Sequence, residues 1–118
     1  HIVPLTVDST SSVSFGKLLY AKNTGSLELA DASFDYTVPA IALALESGNG
    51  TKYVLLNGFA RDDTWNWTPG GFLYVSATEG ELTQTAPSAS GEQVQIVGIA
   101  THADRIYFAP NYSIVEIA

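Results

Sequence analysis

Residues 4–57 laid over residues 58–111 without a gap agree at nine positions: Asp8/Asp62, Thr10/Thr64, Gly16/Gly70, Leu19/Leu73, Tyr20/Tyr74, Thr24/Thr78, Ala32/Ala86, Tyr53/Tyr107 and Asn57/Asn111. One inserted residue after Tyr74 brings Gly25 and Leu27 onto Gly80 and Leu82, and a further shift sets Ile41–Ala44 over Val97–Ala100. The anchors keep their order and fall on turn glycines and strand-core residues, the types that a duplicated fold must keep. A period of this size points to a supersecondary unit that buries its apolar face against its copy. The 118 residues then form a single β domain, with repeats 4–57 and 58–111 followed by a C-terminal strand over 112–118. A chain of this length buries roughly two-thirds of its unfolded surface.

Short runs rich in β-branched and aromatic residues, separated by Gly, Asn, Ser and Pro, predict strands over 2–7, 17–21, 26–30, 52–57, 71–76, 81–84, 93–100, 105–109 and 113–117. The segment 39–46, PAIALALE, has an Ala and Leu content that suits a helix. Its alignment with Val97–Ala100 and its small/large alternation predict a strand instead, with Ala42 and Ala44 where two backbones or subunits approach closely. The fold class is all-β, a compact sandwich or barrel built from two tandem copies of a unit of roughly 54 residues. Each copy turns at a glycine, Gly25 or Gly80, because positive φ at a hairpin costs least without a Cβ.

Twelve acidic residues against five basic ones give a net charge of −7, which repels phosphate backbones and argues against nucleic-acid binding. No run approaches the ~18 uninterrupted apolar residues of a spanning helix, so no membrane partner is expected. Only 14% of residues are charged. Strand positions that carry Ala, Ser, Thr and Leu, where a free surface would carry Lys and Glu, predict subunit contacts and hence a homo-oligomer. The absence of cysteine excludes a disulfide framework and a thiolate metal site. The chain opens at His1 without an initiator methionine, and the expectation is a processed or excised piece.

Three groups of residues have the chemistry to form a site. His102 with Asp104 and Arg105 resembles an acid-base group beside an orienting carboxylate. No serine or cysteine sits in a nucleophile motif, and a histidine in a tight turn is the simpler reading, so no catalytic residue and no enzyme activity are assigned. Asp8, Asp31, Asp35, Asp62 and Asp63 supply hard oxygen ligands. Their spacing matches no calcium loop, and Asp8 and Asp62, each just before a threonine, fit Asx turns; neither metal nor cofactor is expected. The segment 58–71, GFARDDTWNWTPGG, holds both tryptophans, and its counterpart VDSTSSVSFG is bland. Arg61, Asp62, Asp63, Trp65 and Trp67 are therefore the candidate ligand or partner contacts. Trp65 and Trp67 point to the same side of an extended segment. Exposed, they form a stacking platform for a sugar or an anchor for a partner. Burial in the core or a subunit interface is expected, because each ring covers a large apolar area.

The stretch from Pro69 to Tyr112 resembles a module of tail-fibre, head-fibre and capsid-decoration proteins of tailed bacteriophages. The pattern is a Gly turn with Leu-Tyr-Val-Ser at 71–76, a Gly hairpin with Leu-Thr at 80–83, a Pro-Ser-x-x-Gly corner at 87–91 and Val-Gly-Ile-Ala at 97–100. LLYAKNTGSLELADAS and PAIALALESG look like the same unit in degraded form, with Ser33 in place of Pro87 and Ala42 in place of Gly98. The resemblance implies a virion structural protein, a homotrimer at the virion surface that clamps other capsid or fibre proteins. The alternative is a receptor-binding tip recognising a host surface glycan through the Trp65/Trp67 segment.

Overall fold

The computed structural model describes residues 1–118 as strand, turn and irregular backbone, with no helix. The first half holds β1 (Ile2–Val7), β2 (Leu18–Ala21), β3 (Leu27–Leu29), β4 (Ala40–Ala44) and β5 (Gly50–Leu55). The remainder holds β6 (Gly58–Arg61), β7 (Phe72–Val75), β8 (Leu82–Thr83), β9 (Gln93–Val94), β10 (Ile96–His102), β11 (Arg105–Phe108) and β12 (Val115–Glu116). In the first half the strands bond in the order β1-β5-β4-β2-β3, and a parallel contact of Val7 with Leu27 closes them into a barrel. In the second half the order is β6-β11-β10-β7-β8, and the sheet stays open. With β6 set on β1, β7 on β2, β8 on β3, β10 on β4 and β11 on β5, the two orders coincide. The pair β9 and β12 forms a separate small ribbon. The fold is thus all-β, and PAIALALE contributes the strand β4.

The correspondence extends to irregularities. On β4 the partners of Leu19 and Tyr20 are Ala42 and Ala40, which leaves Ile41 as an extra residue. On β10 the partners of Leu73 and Tyr74 are Gly98 and Ile96, which leaves Val97 extra. A bulge of this kind bends the strand and re-aims its side chains. Gly16 and Gly70, with φ of 87° and 85°, donate to the carbonyls of Ala44 and Ala100 at 2.9 and 2.7 Å. No residue with a Cβ takes that backbone conformation readily.

Pairing also corrects the ungapped alignment. Ala44 lies opposite Val54 and Ala100 opposite Ile106. The counterpart of Tyr107 is therefore Leu55, two residues beyond Tyr53. The cause is the connection, which spans 45–49 between β4 and β5 but only 103–104 between β10 and β11. Ile2 likewise corresponds to Phe59, since each pairs with that residue of its neighbouring strand. A strand at 58–61 was missed in the sequence because a glycine and an arginine leave it only two apolar residues, Phe59 and Ala60.

Two apolar clusters hold the fold. Val7, Val13, Leu19, Leu27, Leu29, Ala42, Ala44 and Val54 fill the barrel. Five strands enclose a narrow interior, and Ala42 and Ala44 fit it because they are small; they lie there rather than at a subunit contact. The second cluster lies between barrel and open sheet. There Leu18, Leu43 and Leu55 on the barrel's outer wall meet Ala60, Leu73, Val75, Val97, Ile106 and Phe108 on the sheet's inner face. Strand β4 and the Leu18–Leu19 and Val54–Leu55 ends of β2 and β5 are thus covered on both faces, which explains the apolar run AIALA and the adjacent leucines of β2. Each of those three leucines contributes roughly 2 kcal/mol by leaving water.

Backbone bonds lock the two layers together. The N–H of Leu18 donates to Gly80 O at 2.8 Å, Gly80 N–H to Ala30 O at 2.7 Å, Ala32 N–H to Ser76 O at 2.9 Å and Gln93 N–H to Ala32 O at 2.7 Å. Lys17 pairs with Glu81 across the same seam. The fully buried Gln95 amide accepts from Ala40 N–H at 2.7 Å and donates to the carbonyls of Ala40 and Asn111 at 2.9 and 3.0 Å.

Candidate functional site

The segment that follows β6 is a tightly pinned turn. Asp62 Oδ1 accepts from Thr64 N–H at 2.9 Å and from the Thr64 hydroxyl at 2.7 Å, an Asx turn. Asp8, its counterpart in the alignment, makes no such turn; Thr10 N–H instead donates to Glu28 at 3.2 Å. Trp65 N–H donates to Asp62 O at 3.0 Å, Trp67 N–H to Ala103 O at 2.8 Å, and Thr68 exchanges two bonds of 2.9 Å with the Gln84 amide.

This backbone directs both indoles inward. Trp65 and Trp67 are half-buried, 6.0 Å apart and tilted by 54°, and both pack on the cluster between barrel and sheet. Trp65 also lies over Gly16 and 6.1 Å from Phe15. A Cβ at Gly16 would come within 3.2 Å of its ring. The Trp67 Nε1–H is buried without a partner. The tryptophans therefore seal the margin between the two layers, each with part of its surface left open.

The charged residues of the segment face solvent. Arg61 Nε holds Asp63 Oδ1 at 3.0 Å, and Arg61 Nη2 holds Asp104 Oδ2 at 3.2 Å. Asp104 Oδ1 meets His102 Nδ1 at 2.7 Å. Asp62 N–H donates to Asp104 O at 3.0 Å, so the two loops singled out in the sequence, DDTWNWTPGG and THADR, sit side by side. The hydrogen bond from His102 holds the Asp104 carboxyl below its usual value against the opposing effect of desolvation, and the Arg61 charge adds a smaller push in the same direction as His102. The Thr64 hydroxyl and amide lower Asp62, and the bond to Asp63, followed by the charge of Asp104, raises Arg61. The result is a surface ion network. Of the five candidate contacts, Arg61 and Asp63 share it, Asp62 shapes the turn, and Trp65 and Trp67 turn away from it. No nucleophile stands beside His102, and no three His, Asp or Glu side chains converge.

Two features of the surface carry no distinctive signal in the sequence. A depression of about 310 Å³ lies between Tyr20, Lys22, Asn23 and Tyr36, and Tyr36 stacks on Phe34 with centroids 5.2 Å apart. Burial, then the charge of Glu28, raises the Tyr20 hydroxyl above its usual value. The larger feature is the outer face of the open sheet, where Phe59, Phe72 and Tyr107 are 65%, 52% and 39% exposed. Unbroken apolar runs such as FLYV read as strands covered on both faces, and here only the Leu73 and Val75 side is covered. No protein-family model matches this chain, and no curated protein matches it.

Proposed function

We propose that this domain is a structural module of a virion surface, a fibre or capsid-decorating unit that works by assembly with copies of itself and with other virion proteins. The observation that carries the reading is the aromatic outer face of the open sheet, a rigid apolar surface on a chain with few charges. Patches of that kind mark protein contacts. The resemblance of residues 69–112 to bacteriophage fibre and decoration modules supports the same reading. So does the character of the ion network, which bridges two loops and lies on an open surface instead of in a cleft. The test is imaging of particles with a gold-labelled antibody against this domain. Regular labelling of heads or fibres supports the reading, and failure to find the domain on any sedimentable particle refutes it.

A second reading, a receptor-binding tip for a host surface glycan, is favoured by one feature, the Tyr20/Tyr36 depression. An aromatic wall with Lys22 and Asn23 beside it offers stacking and hydrogen bonds to a sugar ring. Glycan-array binding that Tyr36→Ala abolishes would support it, and binding unchanged by that substitution would rule out this pocket.

A further inference from the structure

We propose that the outer face of the open sheet is a self-association surface, covered by the same face of a second copy of this chain. The proposal deepens the assembly reading above and rests on it.

Cross-strand pairing sets Phe59 opposite Tyr107, Tyr107 opposite Ile99 and Ile99 opposite Phe72. These four side chains form one row across β6, β11, β10 and β7. The corresponding row on the barrel is Ile2, Leu55, Leu43 and Leu18. Its last three members are at most 3% exposed, covered by the inner face of the open sheet. The same row of the same fold is thus covered by a sheet in one half and bare in the other.

The change in residue type says what kind of cover the bare row takes. Leu18, Leu55 and Ile2 become Phe72, Tyr107 and Phe59, and Arg105 lies 5.8 Å over the Phe59 ring. Leucine is the residue of a permanent core. Exposed Phe and Tyr with a neighbouring Arg are the composition of surfaces that associate.

The geometry also identifies the occupant. Within one chain the covering element is the inner face of the open sheet, and that face is already occupied, so a second copy has none to lend. What it does have is the same row. A half-turn about an axis along the strands, midway between β10 and β11, sets Phe59 on the second copy's Phe72 and Tyr107 on the second copy's Ile99. Every member of the row then meets an apolar partner, ring on ring at the two ends and Tyr107 on Ile99 within, in an isologous contact. The three rings leave roughly 300 Å² of apolar surface open, taking about 200 Å² for each side chain. A standard interface needs about 800 Å² from each copy. The rim, with Arg61, Thr101 and Tyr74, must supply the balance; interfaces at the small end of the size range are weak, so association is to be read over the micromolar range.

Sedimentation equilibrium across that range tests the proposal. The wild type should form a dimer, and Phe72→Ser should raise its dissociation constant by roughly thirtyfold. Tyr53→Ser, an exposed aromatic on the barrel wall, should leave it unchanged. Far-UV circular dichroism of each variant checks its fold. The chain has no cysteine, so an equimolar mixture of the single variants Phe59→Cys and Phe72→Cys, which keeps one Phe59–Phe72 contact intact, gives an independent measurement: sheets packed about 10 Å apart are too distant for a disulfide, and a short bismaleimide should yield a covalent dimer. A monomeric wild type overturns the pairing, as does a dimer indifferent to Phe72→Ser that also fails to cross-link. A strictly trimeric mass overturns it too, while leaving the virion-assembly reading intact.

Discussion

Gly98→Ala tests whether the close approach of β11 at the β10 bulge governs stability. Gly98 has its counterpart in Ala42, so the repeat suggests that alanine is acceptable there, and strand propensity favours alanine by about 0.5–1 kcal/mol. The geometry says otherwise. A Cβ on Gly98 would stand 2.4 Å from Tyr107 O and 3.3 Å from Phe108 Cα, both backbone atoms of the paired strand. An ordinary carbon–oxygen contact is about 3.3 Å, so β11 must retreat by roughly 0.9 Å. That retreat stretches ladder bonds from about 2.9 Å toward 3.8 Å, beyond hydrogen-bonding range. Two or three such bonds at about 1 kcal/mol each, on strands whose Phe108 and Ile106 anchor the inner face, give a loss of about 3 kcal/mol. At about 4 °C per kcal/mol for a domain of this size, the melting temperature should fall by about 12 °C. The reverse change, Ala42→Gly, removes one methyl and adds backbone freedom, and should cost about 1 kcal/mol. Thermal and urea unfolding followed by circular dichroism measure both. An unchanged or raised melting temperature for Gly98→Ala would refute the close approach of β11 to Gly98.

Gln95→Leu should destabilise by about 3 kcal/mol in urea unfolding, because it strands the Ala40 N–H and the carbonyls of Ala40 and Asn111 in an apolar seam. Trp67→Phe should change stability by less than about 1 kcal/mol, since the smaller ring loses contact area while the unpartnered indole N–H disappears; a large loss would show that the N–H has a partner. Asp104 has a carboxyl pKa lowered in the folded state, so its contribution is present above the ordinary value of 3.8 and is lost as pH falls below it. Asp104→Asn should therefore flatten the acid limb of the stability profile, and melting curves of the two proteins should converge at low pH; parallel curves would contradict this.

The sequence carried the strand-and-turn alternation and the order of the anchors, including Ile41–Ala44 over Val97–Ala100, because these depend on local residue types. Glycines at 16, 25, 70 and 80 have φ between 76° and 89°, which no neighbouring context could disguise. It carried less of the register. Tyr53 and Tyr107 are identical residues, yet pairing makes Leu55 the counterpart of Tyr107, since loop length is free to vary while the ladder is not. The candidate site was legible as an unusual composition, and its two loops do meet. The roles were not legible. Whether an indole covers a seam or offers a platform depends on which side of the turn is apolar, and that is decided by the distant residues Phe15 and Gly16. An apolar strand likewise does not reveal which of its two faces is covered.

The difference between the halves follows from one competition. An inner face can close on itself as a barrel or cover another wall, and it cannot do both. In the first half the strands close around Leu19, Ala42, Ala44 and Val54; Leu73, Gly98 and Ala100, the counterparts of the first three, are no larger, so the difference lies at Val54 and Leu56. In the second half Ile106 and Phe108 stand on the inner face, and they extend instead over Leu18, Leu43 and Leu55 of the barrel. Trp65 and Trp67, which the first half lacks, pack at the margin of that contact. Using the inner face in this way fixes the two layers rigidly, and it leaves the second outer row with no intramolecular cover. Two stacked units of one strand order therefore supply a closed core on one side and an open aromatic face on the other.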